Sequence, residues 1–307
     1  MASIRICEVS PRDGLQNEKM ATITTADKLQ LIDDLVAAGL DYIEVGAFVN
    51  PKAVPMMADS QEIMRTVREK YPDLQASGLV FNENGYQSAF DSGANSIAIV
   101  LIVPDTLSKS NTGRTAAEWI DRYTAIIQQA QRDQIWVRAY LAGAWVCPFE
   151  GQMDPAAVLH YGDIFWELGV DELCPTDPIG HAHPLQVHEL LKTMVDRYDA
   201  TRLAVHLHDT LAFGLANAYA AISAGVLTLD ASLGGLGGCP FAPGAAGNLA
   251  TEDIVLLANK MNYTTGINLD KLYQAVYVFE PKMGRSIGGR GRVWYDGECA
   301  KQGVSNG

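Results

Sequence analysis

The feature that most constrains this chain is a repeat in which short β-branched or apolar runs alternate with helix-length amphipathic stretches. Such alternation is the pattern of βα units around a parallel sheet. Eight runs stand out, over residues 5–9, 42–46, 74–80, 96–103, 135–142, 170–174, 203–208 and 226–232. That spacing, roughly 29 residues per unit, is the scale of a (β/α)8 TIM barrel, with a doubly wound open sheet as the alternative. Thr24, three residues before Asp27, reads as a helix cap, after which Leu29, Ile32, Leu35 and Val36 share one face until Gly39. Further helices are predicted over 60–71, 116–132, 155–168, 184–198 and 214–224. After Ser232 the period gives way to glycine-rich residues 234–240, then to two closing helices over 251–262 and 269–278 and a Gly/Arg-rich tail. The expected fold class is therefore α/β: a barrel over 1–238 and a small C-terminal extension over 239–307 carrying the glycine-rich loop, closing helices and tail.

Composition narrows the function classes. Hydrophobic residues are 48% of the chain, but no run approaches the roughly 18 apolar residues of a membrane span. Lys plus Arg total 23 against 36 Asp plus Glu, a net charge of −13 that repels nucleic-acid phosphates. The N-terminus has no basic stretch with an apolar core, and the five cysteines form no C-x-x-C pair. Both features predict a reducing, cytoplasmic location.

Catalytic groups of a barrel sit at the C-terminal ends of its strands. Run one leads into Arg12 and Asp13, run two carries Glu44, run six leads to Asp177, and run seven holds His206 and His208. Residues i and i+2 of a strand share a face, so the two imidazoles can meet one ion, or can be two hydrogen-bonded core histidines. With Asp13 they form a mixed N/O set suited to Mg2+ or Mn2+ rather than to zinc. Cys239, between Gly238 and Pro240, reads either as part of a closing loop or as an ordinary loop cysteine. The glycine run lacks the lysine and hydroxyl residue of a P-loop.

Six motifs in order, 11–18 (PRDGLQNE), 44–52 (EVGAFVNPK), 147–151 (CPFEG), 205–210 (VHLHDT), 234–240 (GGLGGCP) and 247–253 (GNLATED), resemble those of the hydroxymethylglutaryl-CoA lyases. The resemblance runs from the first strand to about Leu272. It implies a divalent metal, Mg2+ or Mn2+, on Asp13, His206, His208 and Asn248, with Arg12 facing a thioester. By the same resemblance Cys239 is the loop catalytic cysteine, Glu44, Asp177 and Glu252 support the site, Lys19 belongs to cofactor binding, and the substrate is an acyl-CoA. A homodimer or higher homo-oligomer is expected. The implied reaction splits a 3-hydroxyacyl-CoA to acetyl-CoA and a keto acid, such as acetoacetate. Asp177 or a metal-bound histidine, His206, is then the base and Cys239 the acid that protonates the enolate.

Three stretches depart from that resemblance: 175–184 after run six, 103–107 after run four, and the tail 284–292. Pro104 and Leu107 make one rim loop more apolar, and Pro178, His181, His183 and Pro184 stiffen another, predicting an acyl preference shifted from 3-hydroxy-3-methylglutaryl-CoA. His181 and His183 read as donors to substrate or as solvated loop residues. Arg285, Arg290 and Arg292 read as contacts to a carboxylate or CoA phosphate, or as a free tail. The rival functions are a related aldolase or lyase on another hydroxyacyl-CoA or hydroxy acid, and a non-catalytic metal- or acyl-CoA-binding barrel.

Overall fold

The computed structural model of the chain describes residues 2–18, 23–238 and 247–301. Eight strands, β1 (Arg5–Glu8), β2 (Tyr42–Phe48), β3 (Gln75–Val80), β4 (Ser96–Ile102), β5 (Trp136–Ala142), β6 (Glu172–Asp177), β7 (Ala204–Leu207) and β8 (Thr228–Ala231), form one closed barrel. All neighbours are parallel, and β1 closes the ring by pairing with both β2 and β8. The open-sheet alternative is thereby excluded. A two-stranded ribbon, Val146–Cys147 with Gly151–Gln152, follows β5.

Helices α1 (Thr25–Ala38), α2 (Ser60–Lys70), α3 (Glu83–Asp91), α4 (Asp105–Thr112), α5 (Ala116–Arg132), α6 (Pro155–Glu167), α7 (Pro184–Arg197) and α8 (Gly214–Ala224) surround the strands. The α1 cap is reciprocal: the Asp27 N–H donates to Thr24 Oγ1 at 3.2 Å and the Thr24 N–H to Asp27 Oδ2 at 2.9 Å. Gly39 then takes φ 105°, a left-handed stop that favours glycine. Both α3 and α4 are absent from the sequence reading because each is short, nine and eight residues, with too few turns to display a period.

Strand β6 differs from its expected bounds, starting at Glu172 and running on through Pro175 to Asp177. A proline argues against an inner strand because it cannot donate to the ladder, yet Pro175 lies opposite Leu141 within the β5–β6 pairing. The extension carries Thr176 and Asp177 to the rim.

Helices α9 (Thr251–Lys260) and α10 (Leu269–Met283) close the fold, α10 packing on α1 and continuing through Pro281 in its last turn. The hydrophobic core runs unbroken from the barrel into these helices, with Leu272, Val276 and Phe279 in the same cluster as Leu31 and Leu35. The tail is not free: residues 284–291 lie against the barrel and lead into α11 (Arg292–Lys301). Its arginines meet protein carboxylates, Arg285 on Glu18 at 2.6 Å, Arg290 on Asp209 at 2.7 Å and Arg292 on Glu280 at 2.7 Å. Among the described residues, no helix is long and apolar enough to cross a membrane.

Candidate active site

The chain leaves β1 through a tight turn, Ser10–Gly14, that delivers Arg12 and Asp13 to the rim. Gly14 is required there by packing, since a Cβ would stand 2.8 Å from Ser232 Oγ. Glu8 fixes the turn from below: its carboxylate accepts the Ser10 N–H at 3.0 Å, the Leu233 N–H at 2.9 Å and the Thr251 hydroxyl at 2.6 Å. Arg12 Nε donates to Glu44 Oε2 at 2.5 Å and Nη1 to Asp13 Oδ1 at 2.6 Å. Burial acts to lower the Arg12 pKa, but Glu44 and Asp13 outweigh it and hold the guanidinium charged. Burial likewise acts to raise Asp13, and Arg12, His206, His208 and the Asn248 amide together hold it below the usual carboxylate range. Burial raises Glu44, against the pull of Arg12.

Across the barrel, His206 and His208 face each other with their Nε2 atoms 3.1 Å apart, and His208 Nε2 stands 3.9 Å from Asp13 Oδ2. Asp13, His206 and His208 offer ligand atoms all within 4.8 Å of one another. Burial, followed by the neighbouring His206, drives the His208 pKa down to about 3, so its ring is neutral with a lone pair to give. Asn248 reaches the same place because residue 248 pairs in a β-bridge with His208. Its Nδ2 donates to Asp13 Oδ2 at 2.7 Å and to the Leu236 carbonyl at 3.1 Å, while its buried Oδ1 has no partner among the described residues. Gly237, at φ 113°, permits this approach: a Cβ there would lie 2.6 Å from Asn248 Nδ2.

One carboxylate, two imidazoles and one orphaned amide oxygen fit a hard divalent cation. His206 Nδ1 lies 3.1 Å from Asp230 Oδ2, the outer contact that turns a ligating imidazole's Nε2 inward.

A cavity of about 580 Å³ opens above this floor and is lined by Arg12, Asp13, His206 and His208 on one side. Opposite them the paired inward positions of the strands are apolar: Leu79 and Phe81 from β3 and its end, Val100 and Ile102 from β4, Tyr140 and Ala142 from β5. Ala47 and Val49 continue this arc at β2, and Leu107 of α4 and Pro178 after β6 extend it, while Asn111 of α4, Thr176 of β6, Gln16 and Asn17 add polar groups to the same lining.

Other candidates take different places. Asp177 is buried outside the cavity lining; its Oδ2 accepts the Ala182 N–H at 2.8 Å and so ties down the loop after β6. Glu252 lies behind the glycine-rich turn, accepting the Gly234 N–H at 3.0 Å and the tail's Gly289 N–H at 2.6 Å. His183 is the N-cap of α7, its ring accepting the Gln186 N–H at 3.4 Å, while His181 is exposed. Lys19 and Cys239 lie outside the described residues.

Several supporting residues escape a reading of the sequence. Arg138 spans the barrel interior between Glu172 and Asp230, at 2.5 Å to each, and the Tyr140 hydroxyl donates to Asp230 at 3.0 Å. The available signal is a charged residue at an inward strand position, as with Arg138 and Asp230 amid apolar neighbours.

Comparison with known proteins finds relatives over most of the chain. The HMGL-like family model matches residues 3–278. A 3-hydroxy-3-isohexenylglutaryl-CoA/hydroxymethylglutaryl-CoA lyase of Pseudomonas aeruginosa is 38% identical over 94% of this chain and 95% of its own. An (R)-citramalyl-CoA lyase of Chloroflexus aurantiacus is 38% identical over 94% and 93%. The crystal structure of the Bacillus subtilis hydroxymethylglutaryl-CoA lyase superposes with a TM-score of 0.92 at 35% identity, covering 96% of this chain and 99% of that one. With a family match over most of its length and lyases of this kind on the same barrel, the chain belongs to the HMGL-like family.

Proposed function

We propose that the protein is a metal-dependent carbon–carbon lyase that cleaves 3-hydroxy-3-methylglutaryl-CoA or a close 3-hydroxyacyl-CoA relative to acetyl-CoA and a ketone, in the cytoplasm and as a homo-oligomer. The observation that carries this reading is the convergence of Arg12 with Asp13, His206, His208 and Asn248 on the floor of one cavity.

In the reaction the substrate hydroxyl loses its proton and the C2–C3 bond breaks. Its electron pair passes to C2 as the acetyl-CoA enolate, the C3–O bond becomes the ketone carbonyl, and C2 takes up a proton. A divalent ion, Mg2+ or Mn2+, held by Asp13, His206, His208 and the Asn248 amide oxygen would lower the hydroxyl pKa and orient the chelated substrate. Arg12, with Nε and Nη1 engaged by Glu44 and Asp13, keeps its Nη2 edge for the thioester oxygen as that oxygen gains charge. Glu44 acts through Arg12, and Glu252 through the turn at Gly234. Of the two bases the sequence offers, Asp177 anchors the neighbouring loop, and His206 lines the cavity with its Nδ1 at Asp230, so it can take the hydroxyl proton only while its Nε2 is not on the ion. Cys239 is assigned the protonation of C2 by family resemblance.

The test is release of acetyl-CoA from 3-hydroxy-3-methylglutaryl-CoA with Mg2+ or Mn2+. Calorimetry should show the ion binding the wild type, and a hundredfold excess over Kd should stabilise the fold by about 2.7 kcal/mol. His208→Ala should abolish both the binding and the stabilisation. An ion bound as tightly by the variant, or acyl-CoA bound without any release, would replace the lyase with a metal- or acyl-CoA-binding barrel.

A further inference from the structure

Residues 289–291 lie beyond the stretch matched by the family model and outside the lining of the cavity. They nevertheless meet both sides of the bridge that completes the ligand set. Asn248 stands beside His208 because two short segments pair antiparallel: the Asp209 N–H donates to the Gly247 carbonyl at 2.8 Å and the Leu249 N–H to the Leu207 carbonyl at 3.2 Å. So short a two-stranded contact is marginal by itself. The second segment is also held at Ser232, whose N–H donates to the Leu249 carbonyl at 2.9 Å, but that bond joins it to the end of β8 rather than to His208. On the first segment, Asp209 Oδ2 accepts Arg290 Nε at 3.0 Å and Nη2 at 2.7 Å. On the second, Glu252 and Asp253 are buried in the first turn of α9. Glu252 accepts the Gly289 N–H at 2.6 Å, and Asp253 accepts the N–H groups of Arg290 at 2.7 Å and Gly291 at 2.8 Å. Arg290 thus bonds one segment with its side chain and the other with its main chain. We infer that residues 289–291 are a positioning segment for the metal site, with Arg290 the residue that keeps Asn248 against His208. The inference rests on the lyase reading of that site.

Every bond in this hold ends on a carboxylate, and hydrogen bonds to an ionised acceptor are the strong ones. The close fit is set by glycine. A Cβ at Gly289 would stand 2.4 Å from Asp253 Cγ, and one at Gly291 would stand 3.0 Å from the Tyr273 hydroxyl of α10. The Arg290 side chain itself is 57% exposed, so its ion pair with Asp209 adds little to the stability of the fold. What it restrains is local: Asp209 directly follows one ligand, and the carboxylates of α9 lie four and five residues after the other. Contacts of this outer kind set ligand orientation, and their loss is read in metal affinity.

The test is calorimetry of Mn2+ binding to the whole chain with no substrate present. Arg290→Ala should weaken Mn2+ about tenfold, the lower end of what losing an outer contact costs, while the denaturant midpoint of the metal-free protein stays at the wild-type value. Gly289→Ala, which drives a methyl group into Asp253, should weaken Mn2+ at least as much. In the metal-free Arg290→Ala protein, hydrogen exchange at the Asp209 and Leu249 amides should quicken about tenfold, because those two N–H groups are the bridge. Mn2+ bound by either variant as tightly as by the wild type, affinity lost in Arg290→Ala only together with the midpoint, or bridge amides exchanging at the wild-type rate would each overturn the inference and leave the lyase reading standing. If the wild type binds no Mn2+, the lyase reading fails instead. The hold of Arg290 on Asn248 is then decided by exchange alone, and must show the faster Asp209 and Leu249 amides to survive.

Discussion

The two sides of the cavity are built by one βα repeat and are held in place by different forces. Behind the polar side stands a set of buried ions: Glu44 grips Arg12, Asp230 meets His206, and Arg138 joins Asp230 to Glu172. Behind the apolar side the barrel wall is hydrocarbon, with Ile99, Leu101 and Leu141 fully buried between strands and helices. Removing one member of a buried ion pair leaves a charge without its partner, at a cost of about 3–5 kcal/mol. Apolar surfaces tolerate exchange of one hydrocarbon for another at less than about 1.5 kcal/mol. The polar side is therefore rigid in residue identity, whereas the apolar side can be retailored at small cost.

The largest effect expected from breaking this division is at Arg12. Arg12→Gln keeps hydrogen-bonding groups but removes the charge that meets the developing enolate, so kcat should fall on the order of 10²-fold or more, with KM changed far less. Steady-state release of acetyl-CoA measures it. Turnover within a few-fold of wild type would mean that the polar side does not face the reacting thioester.

How much of each side is legible in the sequence depends on how local its parts are. His206 and His208 are readable because i and i+2 share a strand face, and the Thr24–Asp27 cap because it closes within one turn. Partners of these groups are not: Asp230 is 24 residues from His206, and Glu8 reaches Leu233 and Thr251 across 225 and 243 positions. No spacing rule spans such distances; closure of the barrel makes the neighbours. Arg290 illustrates the same limit, since its partner Asp209 is 81 residues away and nothing near either residue announces the pair. The apolar side is legible as strand but not as pocket, because an inward Val100 or Ile102 reads in sequence like any buried residue of a parallel sheet.

A second test addresses the support of the polar side. Burial pushes Glu252 up to about 7, and the N–H groups of Gly234 and Gly289 only partly offset it. A carboxyl raised in this way binds its proton more readily folded than unfolded. Its contribution to stability is complete below the unfolded value near 4.5 and is lost as pH rises through about 7. The loss is on the order of 3 kcal/mol, taking 1.36 kcal/mol per pH unit. Glu252→Gln, which keeps an acceptor for the Gly234 N–H without the charge, should flatten that slope in denaturant unfolding between pH 5 and pH 8. An unchanged slope would place the pH dependence elsewhere.

The smallest expected effect separates a pocket wall from a core. Leu101 and Ile102 are adjacent on β4 and point to opposite sides: Leu101 is fully buried in the hydrophobic cluster, whereas Ile102 is partly exposed and lines the cavity. Truncating a buried leucine to alanine costs about 2–5 kcal/mol, the spread reflecting how well the site collapses. At Ile102 the methyl groups removed already adjoin open space, so no new enclosed void forms, and Ile102→Ala should cost less than about 1 kcal/mol, the part of its transfer energy that burial supplies. Denaturant midpoints of the two variants, compared at unchanged slope, give the difference directly. Equal destabilisation by the two substitutions would make Ile102 part of the barrel's structural core, and the apolar arc would then be packing rather than a surface kept open for substrate.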